Sequence, residues 1–193
     1  MSQLLVQNCY IPERVEKKGK RSTGMRLQVP WGKHTPATWR FKNKADQAGE
    51  VPHQEHVLPA VVIKDPFTWM TSMCRHTYSA YWYHTREHCP NLVWNNSDLE
   101  AFPEVHSSPG DAVPVHIRYT NQNITHHKSL ANLWNDYYSG YINADFPLVI
   151  IRFEDLLFRA EGVVNEVCKC AGGQMREKFT FIADSAKKGE VHK

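Results

Sequence analysis

The sequence predicts an α/β fold in which a parallel sheet is flanked by helices. Two apolar runs, residues 60–63 (Ala-Val-Val-Ile) and 148–151 (Leu-Val-Ile-Ile), lack polar alternation, which is typical of strands buried on both faces of a parallel sheet. Each run is followed by a segment whose apolar residues recur at helical spacing. This alternation of buried strands and helices indicates a layered α/β domain, and we expect one domain over residues 1–193.

Composition limits the classes of function. Of the 193 residues, 41% are hydrophobic and 22% charged, which is ordinary globular usage. The formal net charge is +3, and the densest basic run, residues 14–26, reads as a solvated loop, so we expect no nucleic-acid partner. No apolar stretch approaches the ~20 residues that span a bilayer, so no membrane span is expected in this chain.

Cysteines and sequons leave the cellular compartment open. The five cysteines form no Cys-x-x-Cys pair, so neither a zinc ribbon nor a dense disulfide framework is indicated. The glycosylation sequons at residues 95–97 and 123–125 would suit a secretory lumen, although such triplets often arise by chance.

The first predicted elements are a helix and a strand. Residues 1–10 begin apolar, as though the sequence entered a helix part-way along. A strand is predicted at Met25–Val29, followed by Pro30, and residues 41–56 are polar and predicted to be loop.

The run 60–63 opens a strand–turn–helix unit. Pro66 suits the first turn of a helix, where its missing N–H costs nothing. An apolar stripe then predicts that this helix continues to about His84; it comprises Trp69, Met70, Met73, Thr77, Ala80 and Tyr81. Lys64 follows the strand directly and Ser72 lies about two helical turns in, so the two side chains could grip one phosphate. The alternative is that Lys64 only ends the strand and Ser72 faces solvent.

The second half is predicted to contain an irregular excursion and then regular elements. Residues 89–127 are rich in Pro, Asn, Ser and His, with one strand near Val113–Tyr119. Helices are predicted at 130–141 and 161–170, with the strand 148–151 between them, and the last helix should end at Gly172-Gly173.

Three stretches together resemble the sulfotransferases that use 3′-phosphoadenosine 5′-phosphosulfate (PAPS) as sulfonate donor. The first, "IKDPFTWMTS", resembles the segment with which that family binds the 3′-phosphate: a basic residue, a polar residue, Pro, and a Ser eight positions after the basic one. The resemblance implies that Lys64 and Ser72 contact this phosphate. The family usually has Arg at the position of Lys64, and Lys keeps the charge but loses the fork geometry.

The second stretch, "VIIRFEDLLFRAEGVVNEVCKCAGG", resembles the family's strand, acidic turn and helix, with Phe153 in place of the usual Tyr. We expect Glu154 and Asp155 to cap the helix or bind backbone, and not to act as an acid/base pair. The preceding "SLANLWNDYYSGY" resembles the family's penultimate helix.

The third stretch, "WGKHTPA", resembles the site of the family's catalytic histidine. It implies that His34 takes the proton of the acceptor hydroxyl and that Lys33 neutralises sulfonate charge. Near the end of the sequence, "AKKGEVHK" resembles a C-terminal phosphate contact and nominates Lys187, Lys188 and Gly189.

One element of the family is not found in the sequence: the Gly-rich loop that cradles the 5′-phosphosulfate. The loop "GKRSTG" leads into a strand-like segment and not into a helix, so we do not match it to this role. We therefore expect the P-loop-like sulfotransferase fold without its N-terminal strand and phosphosulfate loop.

The resulting functional expectation is transfer of sulfonate from PAPS to a hydroxyl acceptor, with carbohydrate as the acceptor suggested by the family. No metal is expected, and the resemblance with the two sequons favours the Golgi lumen over the cytoplasm. Two alternatives stay open. One is a truncated, inactive binding or scaffold domain. The other is a zinc hydrolase, because His84, Glu87 and His88 match a His-x-x-Glu-His pattern.

Overall fold

The computed structural model describes residues 1–13, 15, 29–32, 34–41 and 57–182. The predicted strand Met25–Val29 and the predicted loop 41–56 lie almost wholly outside these residues. In chain order the main elements are α1 (Ser2–Asn8), β1 (Cys9–Tyr10), a 3₁₀ turn (Ala37–Trp39), β2 (Ala60–Ile63), α2 (Pro66–Arg75), β3 (Ala80–Tyr81), α3 (Asn96–Ala101), β4 (Val115–Thr120), β5 (Asn123–His127), α4 (Leu130–Ile142), β6 (Val149–Arg152), α5 (Phe153–Phe158), α6 (Ala160–Cys170) and β7 (Gln174–Met175).

The chain divides into two compact units. We call Met1–Lys33, Ala45–Val62 and Pro147–Lys193 the terminal unit, and His34–Lys44 with Ile63–Phe146 the central unit. Each contains its own buried apolar cluster.

The terminal unit carries the parallel strand pair that the sequence predicts. β2, whose first three residues belong to this unit, pairs in parallel with β6, and helices α5 and α6 follow β6. The strand and helix predictions at 60–63, 148–151 and 161–170 are confirmed to within a residue, and the α/β character is confirmed with them.

A disulfide between Cys9 and Cys168 fastens the first helix–strand segment of the terminal unit to α6. Both cysteines are fully buried, and they belong to one buried apolar cluster with Leu5 and Val164. The close packing around the disulfide explains why position 173 is a glycine, because a Cβ there would lie 2.8 Å from the sulfur of Cys9. Gly172, just before it, has a φ of 70° and ends α6 in the predicted left-handed conformation.

The acidic turn after β6 does not cap a helix as expected, because neither α5 nor α6 has a side-chain cap hydrogen bond. Glu154 and Asp155 instead lie in the first turn of α5, where negative charge is favourable. The Asp155 carboxylate accepts a hydrogen bond from Arg159 at 2.6 Å, and this bond holds the pKa of Asp155 below its ordinary value.

The core of the central unit is packed between helices α2 and α4 and a three-stranded antiparallel sheet. The sheet has the order β3-β4-β5, with Ala80 opposite Ile117 and Val115 opposite His127. The largest fully buried residues of this core include Trp94, Leu130 and Leu133. The β4–β5 hairpin was not predicted, because residues 89–127 read as irregular beyond the strand near Val113–Tyr119.

The prediction that this helix continues to about His84 is wrong for its second half. α2 ends at Arg75, and Tyr78 has a φ of 54°, which a helix does not accept. The chain then extends: Ala80 and Trp82 are buried while Tyr81 and Tyr83 are exposed, the two-residue alternation of a strand. Pairing of Ala80 with β4 therefore overrides the helical stripe.

A second disulfide, which the cysteine spacing did not indicate, joins Cys74 of α2 to Cys89. Among the residues described here, no helix is long and apolar enough to cross a membrane.

Candidate functional site

The candidate phosphate grip lies where β2 passes into α2. Asp65 is the N-cap of α2 and Pro66 follows at the first helical turn, as predicted. The Asp65 carboxylate accepts hydrogen bonds from the Thr68 amide at 2.9 Å and from the Thr68 hydroxyl at 3.1 Å. The backbone N–H of Thr68 in the first turn of α2 is thus already hydrogen-bonded to the Asp65 carboxylate.

The structure brings Lys64 and Ser72 together. The ammonium group of Lys64 donates a hydrogen bond to the Ser72 hydroxyl at 2.7 Å, and both residues are partly buried. Ser72 in turn donates to the backbone carbonyl of Thr68 at 3.0 Å. The alternative in which Lys64 only ends a strand while Ser72 faces solvent does not describe this geometry.

Helix α4 donates hydrogen bonds to the backbone of Lys64 and of Thr35. Trp134 donates its indole N–H to the carbonyl of Lys64 at 2.9 Å. Tyr137 and Tyr141 donate their hydroxyls to the carbonyl of Thr35 at 3.2 and 2.8 Å. The three aromatic residues lie at helical spacings of three and four, so one face of α4 positions both Lys64 and the residue that follows His34.

Tyr137 acts as a neutral donor. Burial raises the pKa of Tyr137, and the neighbouring hydroxyls of Tyr141, Tyr119 and Tyr138 raise it further. The phenol therefore keeps its proton at any pH at which the protein works, and its hydrogen bond to Thr35 is preserved.

His34, the predicted base, is exposed at the start of the segment that these tyrosines anchor. Its ring centroid lies 6.1 Å from that of Tyr78, and Tyr78 lies 6.4 Å from His76, the C-cap of α2. The other predicted site residues lie outside the described residues; these are Lys33, Lys187, Lys188 and Gly189.

The zinc interpretation needs His84 and His88 on one helix, and that helix is absent. Residues 84–88 lie between α2 and α3 without helical structure. The His84 ring stacks on Trp82 at 4.3 Å, whereas His88 Nδ1 lies 2.9 Å from the buried Asp98 carboxylate. The two imidazoles are therefore held by different partners. In the described ranges, no group of three or more His, Cys, Asp or Glu side chains is placed to hold a metal ion.

A cleft of about 410 Å³ in the central unit holds polar residues that the sequence analysis missed. Inside it, His127 Nδ1 lies 2.7 Å from the Asp136 carboxylate and His127 Nε2 lies 3.0 Å from the Thr125 hydroxyl. Thr125 and His127 share one face of β5, and Asp136 comes from α4. Period-two spacing of Asn123, Thr125 and His127 was the available signal, but it is visible only once the hairpin is recognised.

Comparison of this chain with protein-family models, with curated proteins and with solved structures finds no match in any of the three.

Proposed function

We propose that this chain binds the 3′-phosphate of PAPS and transfers its sulfonate to a hydroxyl acceptor, on a fold of the P-loop-like sulfotransferase type. The observation that carries the proposal is the contact of Lys64 with Ser72 at the junction of β2 and α2. The sequence resemblance supports it independently, since these are the two positions that match the family's 3′-phosphate segment.

The contact suits a phosphate ligand for a simple chemical reason. An ammonium group with three donors stands beside a hydroxyl, and a phosphate oxygen that inserts between them receives two hydrogen bonds, one of them charge-assisted. Trp134 fixes the backbone of Lys64, so the cation is held at this place by more than its own flexible side chain.

The start of α2 contributes less to phosphate binding than a helix N-terminus without an acidic cap would. Because Asp65 caps the helix, its carboxylate competes with a phosphate for the terminal amides and repels it. The proposed grip therefore relies on Lys64, which precedes the helix, and on Ser72, two turns along it, and not on the amides of the first turn.

For the chemical step, we assign the role of base to His34 and that of sulfonate-neutralising cation to Lys33, as the resemblance implies. His34 is exposed, so an acceptor hydroxyl can reach its imidazole from solvent. Carbohydrate is the acceptor class that the resemblance suggests.

The two disulfides support an oxidising compartment. Disulfides persist in the secretory pathway and are rare in the cytosol, and Cys9–Cys168 and Cys74–Cys89 tie together distant parts of each unit. The proposed location is accordingly the Golgi lumen.

A second candidate function is nucleotide binding without transfer. The specific observation in its favour is that the Lys64–Ser72 contact would hold the 3′-phosphate alone and does not itself contact the transferred group. Both candidates require the 3′-phosphate grip, and they differ only in the transfer step.

One experiment separates these candidates from a scaffold that binds no nucleotide. Thermal unfolding is measured with 3′-phosphoadenosine 5′-phosphate (PAP) and with adenosine 5′-monophosphate, which lacks the 3′-phosphate. PAP at about 100 times its Kd should stabilise the protein by about 2.7 kcal/mol, whereas the monophosphate should have a much smaller effect.

Transfer of labelled sulfonate from PAPS to a mixed saccharide acceptor then distinguishes an enzyme from a domain that only binds the nucleotide. If PAP does not raise the unfolding temperature, both candidate functions, sulfonate transfer and nucleotide binding alone, are contradicted.

A further inference from the structure

The cleft in the central unit contains a connected series of hydrogen bonds. Asp136 has a half-exposed side chain, and its carboxylate can only accept hydrogen bonds once ionised. His127 Nδ1, 2.7 Å away, then donates to that carboxylate and carries a proton. In the neutral form of the ring this leaves Nε2 as the acceptor, and Nε2 lies 3.0 Å from the Thr125 hydroxyl.

Tyr119 lines the same cleft. Burial, the largest influence, raises the pKa of Tyr119, so the phenol keeps its proton. The contact with Asp136 therefore fixes the orientation of the His127 ring and places the proton on Nδ1, with Nε2 directed to the Thr125 position in the wall of the cleft.

The charges of the cleft disfavour anionic ligands. Asp136 is the one formally charged residue among those lining it, and no Lys or Arg side chain is among these described lining residues. A phosphate or sulfate would meet a carboxylate without a compensating cation, which disfavours binding. The cleft is thus chemically unlike the Lys64–Ser72 grip.

The remaining lining residues suit a neutral ligand that carries several hydroxyl groups. The rings of Trp39 and Tyr119 lie 5.4 Å apart and, with Tyr137, give the cleft aromatic walls. Gln122 and Asn123 add amide groups that can both donate and accept. Apolar rings with a few convergent polar groups are characteristic of small-molecule sites, and the volume falls within their range.

We propose that this cleft binds a neutral, hydroxyl-rich ligand of the saccharide class, one of whose hydroxyls donates to His127 Nε2 in place of Thr125. Asp136 acts as a positioning residue that fixes the tautomer of His127. If the proposed sulfonate transfer is correct, the ligand is the acceptor, and that identification rests on the proposed function. The binding itself does not depend on it, because the binding test needs no donor nucleotide.

The test uses unglycosylated full-length protein, so that Asn123 is unmodified, and the neutral methyl glycosides of glucose, galactose, mannose and xylose. Ligand binding is read by saturation-transfer NMR, and the imidazole nitrogens are followed in ¹⁵N-labelled protein. At least one glycoside should give saturation transfer and shift the Nε2 resonance of His127. The neighbouring His126 is exposed and lies on the opposite face of β5, so its resonances should not move.

Two matched variants complete the test. His127→Gln should abolish the saturation transfer, and His126→Gln should retain it. The methyl glucuronide, which adds a carboxylate to the same ring, should bind more weakly than the glucoside. The proposal is overturned if no neutral glycoside binds, if binding leaves the His127 resonance unchanged, or if the glucuronide binds best. Should His127→Gln fail to fold, the comparison of the His127 and His126 resonances in the wild-type protein decides.

Discussion

Lys64 and Ser72, eight residues apart, are joined by a hydrogen bond of 2.7 Å between the ammonium group and the hydroxyl. The hydroxyl also donates to the carbonyl of Thr68. A phosphate must therefore replace the Lys64–Ser72 bond and draw the Ser72 proton away from Thr68. This exchange predicts that Ser72 contributes less to nucleotide affinity than the charge of Lys64 does.

We expect Ser72→Ala to weaken PAP binding about tenfold, which corresponds to roughly 1.4 kcal/mol and lies near the value of one hydrogen bond to a charged group. Thr71→Ala is the matched control, because Thr71 occupies the preceding position of α2 and its hydroxyl also donates to a backbone carbonyl, that of Phe67 at 2.9 Å. Isothermal titration calorimetry measures both affinities. Equal losses in the two variants would show that a general effect on the helix is responsible.

Removal of either disulfide should destabilise the protein, and the loss of stability should be larger for the disulfide that closes the longer loop. Chain entropy predicts about 3 kcal/mol for the loop closed by Cys74 and Cys89 and about 5 kcal/mol for the pair Cys9 and Cys168. The double Ala variants are compared by urea unfolding. Cys170→Ala is the control, since Cys170 is exposed and free, and it should change the free energy of unfolding by less than about 0.5 kcal/mol. Similar losses in all three proteins would contradict the assigned pairing.

Gly173→Ala should destabilise the terminal unit by about 1 to 3 kcal/mol, because the new methyl group would lie 2.8 Å from Cys9 Sγ, 2.9 Å from Cys168 Sγ and 2.9 Å from the carbonyl of Tyr10. Gly162→Ala serves as its opposite: this position in α6 has no atom within 4 Å of the added carbon, and Ala there should stabilise by about 0.5 to 1 kcal/mol. Chemical unfolding of both variants provides the comparison, and a neutral Gly173→Ala would refute the packing described here.

The raised pKa of Tyr137 predicts that the folded protein loses stability at alkaline pH. Its pKa in the folded state lies above the ordinary value of 10.0, so the folded protein retains a proton that the unfolded chain releases. The contribution is fully present below pH 10 and falls as the pH rises above it. Urea unfolding at increasing pH should show this decline in the wild-type protein and a shallower decline in Tyr137→Phe. Parallel curves for the two proteins would mean that Tyr137 does not carry the effect.

Local signals in the sequence located the candidate grip. β2 and the start of α2 were predictable because a buried apolar run, Asp65 at the cap and Pro66 in the first turn all act within a few residues. The end of α2 was not, because the stripe that continues past Arg75 is used as a strand once Ala80 pairs with β4. Tertiary pairing decided between two periodicities that the local sequence allowed.

The cleft could not be found in the same way. Its central contact joins His127 of β5 to Asp136 of α4, and it depends on how a helix packs against a hairpin that the sequence analysis did not recognise. The disulfides are similar, since partners 159 and 15 residues apart meet only in the folded chain. Spacing alone carries no information on such pairs.

The central claim is that Lys64 and Ser72 hold the 3′-phosphate of the donor nucleotide. The most direct measurement is the Kd of PAP for the wild-type protein and for Lys64→Ala, with adenosine 5′-monophosphate as the ligand that lacks the 3′-phosphate. The account predicts that PAP binds the wild-type protein, that Lys64→Ala weakens this binding by about a hundredfold, equivalent to roughly 2.8 kcal/mol, and that the variant no longer distinguishes PAP from the monophosphate. Undiminished preference for PAP in Lys64→Ala, or no binding of PAP to the wild-type protein, would contradict it.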